Sequence, residues 1–165
     1  MDVNEFLRIF RLSLNAITEN RLFQTERGYQ GQLVAELSKN LNRDAIWPDN
    51  PIVEEEYQKR AKDHGTTIRP DLIIHIPFDR GLHDSRRAGN YVVIQLKRNA
   101  SFEAASKDFA DLEFMFRELR YELGIFVNVG SDETFFDRYV GDFSERLHCF
   151  AVRLNQNVPI VVESP

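Results

Sequence analysis

The sequence predicts an α/β protein, a mixed sheet flanked by helices in the order α-α-β-β-β-α-β-α-β. Three observations carry this. Apolar residues recur at helical spacing near the N-terminus and again after residue 101, while the runs between and beyond are rich in β-branched residues bounded by turn chemistry. Leu123–Val129 is almost wholly apolar, the pattern of a strand buried on both faces. At 165 residues with no repeat or Gly/Ser linker, the chain has the length of about one domain. Its expected parts are an N-terminal helical extension over 1–22, a core over 23–130 and C-terminal strands over 131–165.

In chain order, Val3, Phe6, Leu7, Phe10, Leu14 and Ile17 mark an amphipathic helix over 2–19. Tyr29, Leu33, Leu37 and Leu41 recur every four residues and define the stripe of a second helix from about Phe23 to Leu41. Asn42, Pro48, Asp49, Asn50 and Pro51 then supply turn chemistry. Ile52–Gln58, Ile68–Ile76 and Tyr91–Arg98 read as strands. Phe102, Ala105, Phe109, Leu112, Phe116 and Leu119 step by three and four residues, which predicts a third helix, with Ser101 as its N-cap. A brief helix over 134–146 and late strands at Cys149–Leu154 and Val158–Val162 complete the expectation.

Composition narrows the function. The net charge is 21 − 26 = −5, which excludes a basic coat made for unspecific phosphate binding. By thirds, residues 1–50 carry +6 and −7, residues 51–100 carry +9 and −7, and residues 101–165 carry +6 and −12, so only the middle is net positive. The single cysteine, Cys149, excludes an internal disulfide and a cysteine-based zinc cluster. No stretch has the roughly 18 apolar residues of a membrane helix, and the first ten residues carry acids where a signal peptide carries bases. The expectation is a cytoplasmic protein that does not enter a membrane. His64, His75, His83 and His148 lack zinc-ligand spacing, and neither a nucleophile elbow nor a Walker loop nor a dinucleotide fingerprint is present.

The alternation of strand side chains decides what can meet. Tyr91, Val93, Gln95 and Lys97 share one face of their strand, and Arg69, Asp71, Ile73 and His75 share one face of theirs. If the two strands pair, Asp71 sits across from Gln95 and Lys97. An acid and a lysine among apolar neighbours need a partner. Two arrangements satisfy them: a structural Asp71–Lys97 ion pair, or a hard divalent cation held by carboxylate and carbonyl oxygens with the lysine beside it.

Arg69-Pro70-Asp71-Leu72-Ile73-Ile74 followed by Val92-Val93-Ile94-Gln95-Leu96-Lys97-Arg98 resembles the motif of the PD-(D/E)XK nuclease superfamily, the restriction-endonuclease-like fold. The resemblance covers about residues 23–130 and implies a core of helix, strand hairpin, helix and further strand. It implies a Mg²⁺- or Mn²⁺-dependent phosphodiesterase acting on nucleic acid, DNA above RNA, with a homodimer or partner subunit as the kind of assembly the superfamily uses. Asp71, Gln95 and the Leu96 carbonyl would be the ligands, and Lys97 would orient the attacking water. One departure matters: Gln95 stands where the superfamily usually has Asp or Glu, and an amide oxygen holds a hard cation less strongly than a carboxylate. The alternative is a nuclease-like fold that binds nucleic acid or a partner protein without cutting.

At about 100° per residue, Gln30 lies within roughly 60° of Leu33, Leu37 and Leu41 on the helical wheel, and Glu26 falls in the same sector. Both are candidates for the superfamily's helix position, Gln30 by its spacing; Glu26 has a second reading as a first-turn dipole partner after Thr25. Glu54 and Glu56 share a strand face, a solvated edge or, in Glu56, an extra cation ligand. Arg80, Arg86 and Arg87 in the Pro77–Asn90 connection, Lys59 after the first strand, and Arg98 are candidate phosphate contacts. His75 shares the face of Asp71.

Overall fold

A computed structural model describes residues 2–44, 51–55, 68–76 and 89–165. The chain runs α1 (Val3–Asn15), a 3₁₀ turn (Asn20–Gln24), α2 (Glu26–Asp44), β1 (Ile52–Glu55), β2 (Leu72–His75), β3 (Asn90–Arg98), α3 (Phe102–Leu119), β4 (Leu123–Val129), 3₁₀ turns at Phe136–Arg138 and Ser144–Arg146, β5 (Leu147–Asn155) and β6 (Val158–Ser164). The six strands form one sheet in sequence order. β1, β2 and β3 are antiparallel neighbours, β3, β4 and β5 are parallel, and β6 returns antiparallel on β5. The fold is thus α/β with a mixed sheet flanked by helices, as the sequence predicts. Among the described residues, no helix is long and apolar enough to cross a membrane.

Helix ends follow local chemistry. Asp2 and Ser101 cap α1 and α3, accepting from the Glu5 and Ala104 backbone N–H groups at 3.2 and 3.3 Å, and Thr25 Oγ1 accepts from Gly28 N at 3.0 Å. The β3–α3–β4 unit is the crossover that joins parallel strands, and it aligns Gln95 with Phe126 and Lys97 with Asn128.

Two apolar layers hold the sheet. One face carries Leu72, Ile74, Val92, Ile94 and Leu96 against Phe6, Phe10, Tyr29, Leu33 and Leu37 of α1 and α2. The other carries Ile73, Val93, Phe126 and Cys149 against Ala105, Phe109, Leu112 and Phe116 of α3. Every residue of β4 is buried, as its near-continuous apolar run predicts.

Several boundaries differ from the sequence expectation. α1 ends at Asn15, and its apolar face is consumed inside the chain: Phe10 lies 5.0 Å from the Phe150 ring, and Arg11 pairs with Glu163 on β6. The apolar face of α1 thus packs into the same core cluster as α2 and the sheet. β2 begins only at Leu72, after Pro70, which has no N–H for a ladder. β1 is described to Glu55; the rest of its expected run lies outside the described residues. The helix expected over 134–146 is replaced by two 3₁₀ turns. Phe135 takes a left-handed φ of 59°, and the segment is held by its rings instead, Phe135 near Phe102 at 6.2 Å and Phe143 near Phe116 at 5.5 Å. The late strands are a β5–β6 hairpin, turned by Gln156 and Asn157 at φ 51° and 63°, the paired left-handed geometry that matches strand twist.

Close packing of α3 on β4 depends on Gly124, where a Cβ would collide with the Phe116 ring. Gly124→Ala is expected to lower stability by about 1–3 kcal/mol through overpacking. Gly31→Ala, on α2 with nothing within 4 Å of the added carbon, is expected to be neutral or to stabilise by up to about 1 kcal/mol. Thermal melts of the two variants beside the parent check both.

Candidate functional site

The pairing of β2 with β3 ends at Leu72 opposite Ile94. Beyond that pair the Leu96 N–H loses its strand neighbour, and the Asp71 side chain takes the place of the missing backbone acceptor: Leu96 N donates to Asp71 Oδ2 at 2.7 Å. Asp71 is held in turn through its own backbone, because Gln30 Nε2 on α2 donates to the Asp71 carbonyl at 3.1 Å. Gln30 is buried, in the stripe where the helical wheel puts it.

Gln95 is buried on the face of β3 that looks toward α3, with Lys97 two residues on. Lys97 Nζ donates to the Leu96 carbonyl at 3.2 Å and lies 3.6 Å from Asp108 Oδ2 and 3.8 Å from Glu26 Oε1. Burial alone lowers the ammonium's pKa, but the carboxylates of Asp108, Asp71 and Glu26 outweigh it and hold Lys97 above its ordinary value. Lys97 is therefore charged throughout the neutral range.

Glu26 is the first residue of α2. Its Oε2 accepts from Arg98 N at 3.2 Å, and its side chain is 39% exposed. The wheel places it over the buried stripe, but the first turn of the helix projects past the sheet, so the carboxylate meets the end of β3 at the surface instead.

Asp108 was not among the residues singled out from the sequence, and it is the most unusual group here. It sits on α3 at 4% exposure, and its Oδ2 is buried with no hydrogen-bond donor. Burial pushes its carboxyl up to about 7; Lys97 opposes that, while Asp71, Asp111 and Glu26 add repulsion. A signal was present: Ala105, Asp108 and Leu112 recur at helical spacing, which aims Asp108 into the face that packs on the sheet.

Other predicted residues fall elsewhere. His75 is bound to Glu54 across the β1–β2 pair, Nε2 to Oε2 at 2.6 Å. The Arg98 guanidinium donates through Nε to the Phe23 carbonyl at 2.8 Å, so part of its hydrogen-bonding capacity is spent on the turn before α2 rather than on a phosphate. Glu56, Lys59, Arg80, Arg86 and Arg87 lie outside the described residues. A groove of about 590 Å³, lined by Phe102, Phe109, Tyr139 and Val140 among others, holds none of the predicted site residues. Among the described residues, no three His, Cys, Asp or Glu groups form a ready-made metal cluster. No family model, curated protein or solved structure matches this chain.

The Asp108 carboxyl carries a pH dependence whose sign follows from its raised pKa. A group held protonated by the fold contributes stability that is fully present below its unfolded value of about 3.8 and is lost as pH rises through about 7. Asp108→Asn removes that titration. Its stability relative to the parent is expected to rise by about 1–3 kcal/mol between pH 5 and pH 8 in urea unfolding; parallel pH profiles for the two proteins would exclude Asp108 as the titrating group.

Proposed function

We propose that this protein is a divalent-cation-dependent phosphodiesterase acting on nucleic acid, a DNA endonuclease of the restriction-endonuclease-like kind. The observation that carries the reading is the meeting of Asp71 and Lys97 at Leu96 near the end of β3, Asp71 on its N–H and Lys97 on its carbonyl, with the Glu26 carboxylate 3.8 Å from Lys97 Nζ and buried Gln95 two residues before Lys97 on the same strand face. The order around that point supports it: helix α2, the antiparallel β2–β3 pair with β1 beside it, the crossover helix α3 and the parallel strand β4, compatible with the helix, strand hairpin, helix and further strand that the motif resemblance implies.

The donors fit a hard cation by their chemistry, since every one is oxygen: the Asp71 and Glu26 carboxylates, the Gln95 amide and the Leu96 carbonyl. Asp71, Gln95 and the Leu96 carbonyl would hold Mg²⁺ or Mn²⁺. When bound, such an ion neutralises charge on the scissile phosphate and lowers the pKa of a bound water. The chain's own residues do the rest. Gln30 holds the Asp71 backbone, and thereby its carboxylate, in register with β3. Lys97 keeps a positive charge at the site, where it orients the attacking water and offsets charge gathering on the phosphate oxygens. The water oxygen would bond to phosphorus and release a proton to solvent as the bond from phosphorus to the 3′ oxygen breaks, and the leaving 3′ oxygen would take up a proton from solvent.

A second reading draws on the same contacts. Lys97 already donates to the Leu96 carbonyl and sits between two acids, and the Asp71 carboxylate already accepts from Leu96 N. A cluster so nearly self-satisfied suits a nuclease-like fold that binds nucleic acid or a partner protein without cutting it.

Cleavage of plasmid and of labelled oligonucleotides with Mg²⁺ or Mn²⁺ separates the two. The enzyme reading expects cutting by the parent and a loss of at least about a hundredfold in Asp71→Asn and in Lys97→Ala, with the fold verified by circular dichroism. Cutting that persists in both variants refutes it. No cutting by the parent together with cutting by Gln95→Glu supports the second reading, because one carboxylate then revives the site.

A further inference from the structure

The substitution at position 95 leaves the site one carboxylate short on the sheet, and the structure offers a replacement from a different element. We infer that Asp108, on α3, is the second carboxylate ligand of the cation site, supplying from the helix the charge that Gln95 does not supply from the strand. The inference rests on the cation-dependent reading above and specifies its ligand set.

Three observations lead there. Asp108 is 4% exposed, yet its Oδ2 has no hydrogen-bond donor. A buried carboxylate oxygen with no hydrogen-bond donor and one ion-pair partner at 3.6 Å costs free energy that an alanine or leucine in the same helical stripe would avoid. That oxygen also points at the motif: its nearest charge is Lys97 Nζ at 3.6 Å, just beyond hydrogen-bond reach, on the same face of β3 as buried Gln95. Finally, Asp71 and Glu26 act on the same Lys97, so one ammonium sits among carboxylates from α3, α2 and the segment entering β2.

A lone ammonium among these acids leaves negative charge in excess, and a hard divalent cation is the species whose charge and oxygen preference match it. The Leu96 carbonyl that Lys97 Nζ now engages is one of the proposed ligands, so a bound cation would compete with the ammonium for that oxygen. Displaced from that carbonyl, Lys97 remains tethered on β3 two residues from Gln95 and keeps its charge at the site.

The test measures cation binding directly, by Mn²⁺ electron paramagnetic resonance and calorimetry on the full chain, with no nucleic acid present. The parent is expected to bind Mn²⁺. Asp71→Asn and Asp108→Asn are each expected to bind at least about tenfold more weakly, as loss of a charged ligand requires. Gln95→Glu in the Asp108→Asn background is expected to recover most of that loss, because either carboxylate serves the same ion. Asp108→Ala is measured alongside, so that the result does not hang on how one amide packs. If the parent binds Mn²⁺ and Asp71→Asn weakens it, but both Asp108 variants bind like the parent, the ligand assignment falls and the cation-dependent reading stands. If the parent binds no Mn²⁺, that reading falls and the assignment with it.

Discussion

Lys97 Nζ lies 3.2 Å from the Leu96 carbonyl, 3.6 Å from Asp108 on α3 and 3.8 Å from Glu26 on α2, so one ammonium at the end of a central strand ties together elements from both sides of the sheet. A half-buried charge cannot be left without partners. Meeting that demand brings the first turn of α2 and the second turn of α3 to the same end of β3. The Asp71 carboxylate and the Gln30 amide belong to the same polar island, since they satisfy the backbone where β2 departs from its neighbour. Such a set holds its geometry through many shared contacts, and it would be cheaper to build from apolar residues if geometry were its only purpose.

The stability of the protein comes from elsewhere. The two apolar layers, with Phe, Leu, Ile and Val from α1, α2 and α3 on opposite faces of the sheet, supply the burial that drives folding. That division of labour lets the end of β3 carry a carboxyl pushed up to about 7 and an oxygen without a donor. Local violations of the rules that govern the rest of a fold are what a functional site is expected to show.

Much of the site was legible beforehand because strand and helix periodicities are rigid. The two-residue repeat alone puts Gln95 and Lys97 on one face, and the helical repeat alone turns Gln30 inward. Where periodicity gives a direction but not a depth, the reading slipped. Glu26 has the same angle as the buried stripe, but it begins its helix and so lies beyond the edge of the sheet, part-exposed. The segment 134–146 has apolar residues at compatible spacing, but their rings pack individually onto α3, with Tyr139 bonded to Glu113, and the backbone follows the rings rather than a helical ladder. Asp108 shares the helical spacing of Ala105 and Leu112, but spacing gives only its direction; its burial comes from the packing of α3 on the sheet.

The sequence by itself determined the α/β class, the strand that bears Gln95 and Lys97 and the helix that bears Gln30, and which side chains share a face, because all of these follow from local dihedral preferences and from the need to hide apolar surface. Only the tertiary structure decided which charges meet. α3 crosses β3 at the height of Asp108, α2 starts level with the end of β3, and β2 stops two residues short of Leu96. Those offsets are set by the packing of whole layers, and an electrostatic cluster depends on a few ångströms that no local pattern encodes.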